Sequence, residues 1–161
     1  MTPRTRVLAS ILLLLGSTGG CEKKNSETAG EERKENFVAL RSEETNLRAG
    51  PGKDFPIIYV YRLKHMPLRV LGEYDKWLRV VDRDGDSGWI GESLSIKIRT
   101  VLTQRTEQFL YKNSDSIAYP THRVGKNVIG RLVKCKKHRC KVKIGKVTGW
   151  LDRSDIWGQD N

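Results

Sequence analysis

The run Asn46-Leu47-Arg48-Ala49-Gly50-Pro51-Gly52, followed in order by Asp75-Lys76-Trp77, Asp84-Gly85 and Gly88-Trp89, restricts this chain more than any other feature. Short apolar segments separated by such turn residues form short strands joined by tight hairpins, and not helices. The pattern predicts a small antiparallel β-barrel. Alternation agrees: in Lys141-Val142-Lys143-Ile144 the cations would face water and the aliphatic side chains a core.

The same order of features occurs twice. Leu68-x-Val70, Leu78-x-Val80 and Gly88-Trp89, ending at Leu94, return as Val128-x-Gly130-x-Leu132, Cys140-x-Val142-x-Ile144 and Gly149-Trp150, ending at Ile156, about 61 residues later. A repeat at fixed offset means two similar units and not one large fold. Some 120 residues are available from Phe37 onward, enough for two very small units. The expected organisation is therefore all-β, with one barrel over residues 37–98 and a second over residues 99–158.

What precedes the barrels sets the compartment. Arg4 and Arg6 stand before an apolar run over residues 7–15 and the small residues 16–20, the order of a secretory signal. That run is too short to span a bilayer. Residues 1–20 thus read as a signal peptide. Residues 21–36 read as a flexible charged linker, because a polar segment without apolar periodicity cannot bury enough surface to fold. The expected location is the periplasm.

Charge is divided unevenly between the units. The chain carries a formal net charge of +11; residues 41–98 hold 10 Lys and Arg against 9 Asp and Glu, whereas residues 99–158 hold 14 against 4. Lys134, Lys136, Lys137, Arg139, Lys141, Lys143 and Lys146 concentrate the excess in one predicted hairpin and its turn. In the cytosol this would suggest nucleic acid. Export removes that partner and leaves anionic lipid head groups, surface polysaccharide and the carboxylates of the wall polymer, or a basic face with no partner.

Cys135 and Cys140 flank four residues and could be joined as a disulfide across a hairpin tip, given an oxidising compartment and Cα atoms about 5.5 Å apart. A metal reading recruits His138 and His122, but Cys-x-x-His-x-Cys supplies only three close ligands and lacks a second Cys-x-x-Cys element. The Asp82-Arg83-Asp84-Gly85-Asp86 cluster has its glycine too early for an EF-hand and no closing Glu, and reads as a solvated turn. No metal and no cofactor are expected. Neither cysteine has an evident base and orienting carboxylate, and no nucleophile elbow, phosphate loop or His-Glu-x-x-His motif occurs. The chain does not read as an enzyme.

The ordered set Asn46, Arg48, Gly50, Pro51, Gly52, Trp77, Val80, Asp84, Gly85, Gly88, Trp89 and Leu94 resembles the bacterial SH3-like domain family. A signal followed by two unequal units of this kind is similar to small exported proteins of alphaproteobacteria. The resemblance implies a binding or envelope role without a defined ligand. It also implies that the residue at the Trp-x-x-Val position, Trp77, lends an aromatic ring to a ligand groove. Cys21 after Gly19-Gly20 looks like a bacterial lipoprotein cleavage site, although Thr18 stands where an aliphatic residue is usual. Two readings of Cys21 stand, lipidation with attachment to a membrane and simple cleavage with a free thiol.

Parity supports the site independently. If Leu78 and Val80 face the core, Trp77 and Arg79 face outward on the same strand. Tyr74 is near, and Tyr59 and Tyr61 share a face of the preceding segment. Trp77, Tyr74, Tyr59, Tyr61 and Arg79 are the candidate ligand-binding residues; the competing reading has the aromatics covering a barrel end or the contact between units. Asn46, Arg48 and the Gly-Pro-Gly turn read as architectural, with glycines chosen for unusual backbone angles. The second unit departs from the pattern, with Arg139 in the place of Trp77 and no Asn-x-Arg-x-Gly-Pro-Gly turn, so a second aromatic groove is in doubt. The function expected is a non-enzymatic binding module of the envelope that recognises peptidoglycan or a wall-associated protein; the alternative is a scaffold that recruits an envelope enzyme without binding glycan.

Overall fold

Alternating apolar side chains and frequent turn residues give strands of two to eight residues and no α-helix among the described residues, which in this computed structural model are 37–115 and 117–159. Residues 1–20, read above as a signal peptide, Cys21, and residues 21–36, read as a linker, lie outside them. The first sheet contains β1 (Phe37–Leu40), β2 (Thr45–Arg48), β3 (Ile57–Tyr61), β4 (Pro67–Tyr74), β5 (Trp77–Val81), β6 (Ser87–Gly91) and β7 (Ser95–Ile96). The second contains β8 (Thr100–Thr103), β9 (Gln108–Tyr111), β10 (Pro120–Val124), β11 (Ile129–Cys135), β12 (Arg139–Ile144), β13 (Val147–Asp152) and β14 (Ile156–Trp157).

Their orders, β3-β2-β6-β5-β4-β1-β7 and β10-β9-β13-β12-β11-β8-β14, are the same topology repeated. Every pairing is antiparallel, as the expected all-β tandem requires. Neither ladder closes into a full cylinder, so each unit keeps two sheet edges.

Each sheet encloses its own core. Leu40, Leu47, Leu68, Leu78, Val80 and Ile90 fill the first; Val101, Leu110, Leu132, Cys140, Val142, Leu151 and Ile156 fill the second. Full burial of one such aliphatic side chain is worth about 1.5–3 kcal/mol. The repeated Gly-Trp pair has a steric origin: a Cβ on Gly88 would lie 2.7 Å from the Arg48 carbonyl oxygen, and one on Gly149 would lie 2.9 Å from the Leu110 Cβ. In both sheets the strand next to the last hairpin passes too close for any side chain.

The first loop is architectural, but for a different reason than backbone angle. Gly50 and Gly52 are not among the residues with positive φ. Instead the Phe55 ring lies against Gly50, where a Cβ would collide with it. Arg48 closes the same loop, its Nη1 donating to the Lys53 carbonyl at 2.9 Å and the Phe55 carbonyl at 2.7 Å.

The two sheets lie in one compact unit and touch directly. Phe37 meets Trp157 edge to face at 5.4 Å, the Arg69 guanidinium sits 5.4 Å over the same indole, and Thr100 Oγ1 donates to the His65 carbonyl at 2.9 Å. Arg83 Nη1 donates to Asn127 Oδ1 at 2.6 Å.

Asp82 organises the β5–β6 turn. Its Oδ1 accepts from the Asp84 and Asp86 amides at 2.9 and 3.0 Å, and Oδ2 accepts from the Tyr61 hydroxyl at 3.2 Å. The acidic cluster is thus a turn held by one buried carboxylate. Burial, and then the Asp82 charge, pushes the Tyr61 phenol well above its ordinary value near about 10. A raised folded-state pKa favours the neutral phenol, so this contribution to stability is complete below about pH 10 and is lost as pH rises above it. Denaturant unfolding of the wild type and Tyr61→Phe should therefore show the variant about 1 kcal/mol weaker at neutral pH, with the gap narrowing at strongly alkaline pH.

Candidate functional site

Burial of Leu78, Val80 and Ile90 turns Trp77, Arg79 and Trp89 to the outer face of the first sheet. Cross-strand register assembles the rest. Tyr74 lies directly opposite Trp77 across the two-residue β4–β5 hairpin, and Trp89 lies between Arg79 and Arg48. On its other flank Trp77 faces Gly91, and on β4 Arg79 faces Gly72, so neither neighbour has a side chain to cover the pair. Tyr74 is 63% exposed and Trp77 half-buried. Among the described residues no carboxylate forms an ion pair with Arg79. Arg48 is committed to its loop carbonyls. The arrangement offers two aromatic rings for stacking and one guanidinium for an anionic or carbonyl oxygen.

Tyr59 and Tyr61 do not join this face. They share a face of β3, as parity requires, but it is the core-facing one, with Tyr59 opposite the buried Leu47. Tyr61 is 3% exposed and bonded to Asp82, so it is a core residue and not part of a surface platform. Tyr59 packs edge-on against it at 4.9 Å and remains half exposed at the sheet margin.

The equivalent face of the second unit is filled. Arg139, in the place of Trp77, is buried; its Nε donates to Asp152 Oδ1 at 2.8 Å, its Nη1 to the Asp115 carbonyl at 2.6 Å, and its guanidinium lies 3.8 Å from the Tyr111 ring centre. Trp150, in the place of Trp89, is covered by the ammonium groups of Lys134 and Lys136 at 6.0 and 5.6 Å. No second aromatic groove forms here. Cations instead face one another across β11 and β12, Arg131 opposite Lys143 and Lys134 opposite Lys141, with no ion-paired carboxylate among the described residues. Like charges directly opposite repel, which makes this face receptive to anions.

At the tip of that hairpin Cys135 and Cys140 are a cross-strand pair joined as a disulfide, with Cα atoms 3.9 Å apart. Cys140 is fully buried and Cys135 packs against the same core. Both thiols that cysteine chemistry would require are thereby occupied.

A family model described as bacterial SH3 domain matches residues 41–94 and again residues 104–158. This chain belongs to that family. The first match spans β2 to β6 and the second β9 to β14, which places Trp77 in the first and Arg139 in the second. A comparison with curated proteins gives no match. Among solved structures it is similar to NlpC2 from Trichomonas vaginalis, with 12% identity, 78% of this chain and 48% of the other covered, and a TM-score of 0.36. NlpC1 from the same organism gives 12% identity, 81% and 48% coverage, and 0.36. The chain spans about half the length of these two structures.

Sequence reasoning did not single out Phe55, Ile57 and Ile58, which are 45, 47 and 52% exposed beside Tyr59. The signal was present: residues 55–61 contain no charged residue and do not alternate, so a two-faced strand there must leave apolar side chains in water. As for the disulfide, the double variant Cys135→Ala/Cys140→Ala should lose about 2 kcal/mol of stability in denaturant unfolding, because a short closed loop removes little unfolded-state entropy.

Proposed function

We propose that this chain is a non-enzymatic binding module of the cell envelope, exported to the periplasm, that recognises peptidoglycan through the outer face of β5 and β6. One observation carries the reading: Tyr74 and Trp77 are cross-strand neighbours, bordered by Gly91 and next to Arg79, which has no ion pair among the described residues, on a hairpin whose opposite face is locked into the core. Flat aromatic surface suits the apolar face of a sugar ring, and the guanidinium suits the carboxylates of the wall peptide. Family membership supports the same class, since bacterial SH3 domains commonly bind cell-wall components. The cationic face of β11 and β12 adds long-range attraction to an anionic polymer. Acylation of Cys21 would hold the module at a membrane surface.

The test is co-sedimentation of the full chain with purified peptidoglycan, using Cys21→Ser to keep the protein free of lipid. Binding should weaken as salt rises, because the cationic face is screened, and Trp77→Ala should bind about tenfold more weakly, the order expected for losing a central aromatic contact. Failure to pellet at low salt, or pelleting unchanged by Trp77→Ala, refutes the reading and directs attention to a protein partner.

A further inference from the structure

Outside the face just described, the most unusual surface is the free edge of the first sheet. Among the described residues β3 pairs only with β2, and its other edge is open. Ile57, Ile58 and Tyr59 are 47, 52 and 50% exposed, with Phe55 before them and Leu63, 39% exposed, after. A register shift against β2, between Leu47 and Arg48, leaves Ile58 as the extra residue on β3, so three successive side chains reach solvent. An open edge of this composition is a template for another strand.

The remaining edges are blunted. β10, the counterpart of β3, begins with Pro120, which has no amide to donate, continues through Thr121, His122 and Arg123, and has its own register break between Pro120 and His122. β7 and β14, at the other ends, are two residues long. Only β3 combines length, apolar character and absence of charge.

Its flanking charges indicate what covers it. Lys53 and Asp54 precede the strand and cancel in charge, whereas the cations Arg62 and Lys64 follow it. A second copy paired antiparallel and centred on Ile58 sets Ile57 against Tyr59 and brings the turn that holds Asp54 toward Arg62 of that copy. Centring on Tyr59 sets Ile58 against Val60 and brings the turn that holds Asp54 toward the turn that holds Lys64 of that copy. Either register brings Asp54 of each copy to the cationic end of the other, while a parallel pairing would bring Arg62 and Lys64 of the two copies together. We infer that the chain forms a two-fold homodimer by antiparallel β3–β3 pairing, which joins the first sheets of two copies into one continuous sheet. The contact is isologous and uses up the edge that creates it, so assembly stops at two.

The inference is independent of the wall-binding reading, because β3 pairs through its edge and leaves Tyr74, Trp77 and Arg79 uncovered. Sedimentation equilibrium of the full chain carrying Cys21→Ser, which also excludes a disulfide through that residue, should show a concentration-dependent dimer. Ile58→Lys should raise the dimer dissociation constant more than tenfold while leaving the circular dichroism spectrum and the melting temperature of the monomer unchanged. Asp54→Lys should weaken the dimer, and Asp54→Lys combined with Arg62→Asp and Lys64→Asp should restore it. A monomer at every concentration, or a dimer indifferent to Ile58→Lys and to the charge exchange, overturns the inference.

Discussion

Alternation of side chains along the last long hairpin is the constraint on which the rest of this molecule depends. In the first unit, placing Leu78, Val80 and Ile90 in the core obliges Trp77, Arg79 and Trp89 to face out. In the second, placing Cys140, Val142 and Leu151 in the core obliges Arg139, Lys141 and Trp150 to do so. The face proposed to bind is therefore a by-product of building the core, set by the same alternation. Gly88 and Gly149 belong to the same constraint, since the neighbouring strand can close over the hairpin only where no side chain intervenes.

From one scaffold the two units have taken opposite surface chemistries. The first leaves an aromatic pair open beside a guanidinium, that of Arg79, with no ion pair among the described residues. The second buries its guanidinium on Tyr111 against Asp152 and covers Trp150 with lysines, so its outer surface offers charge and no stacking platform. Contacts around Trp157 and between Thr100 and His65 hold these different faces in one compact body. A polymer bearing both sugar rings and carboxylates is a ligand that could use both.

Much of this was legible in the residues. The 61-residue offset foretold two similar sheets, the spacing of Cys135 and Cys140 allowed a hairpin disulfide, and Arg139 in the place of Trp77 cast doubt on a second groove. Two readings needed correction. Tyr61 shares parity with Tyr59, and parity alone cannot tell an inner from an outer face; only the pairing of β3 with β2, which sets Tyr59 opposite Leu47, shows that both point inward. The glycines of the first loop read as conformational choices, whereas the Phe55 ring lying on Gly50 explains them by space.

The sequence by itself determined strand periodicity, the number of units, the turn positions and the separation of charge between the two halves, because each of these depends on neighbours a few residues apart or on simple counting. Only the tertiary structure decided which aromatic rings remain open, which cations are already committed and which strands form the sheet edges. Those outcomes rest on contacts between distant segments: Tyr61 with Asp82, Arg139 with Asp115, Phe37 with Trp157. Burial is a property of what packs over a residue, and in an antiparallel sheet the covering strand comes from far along the chain.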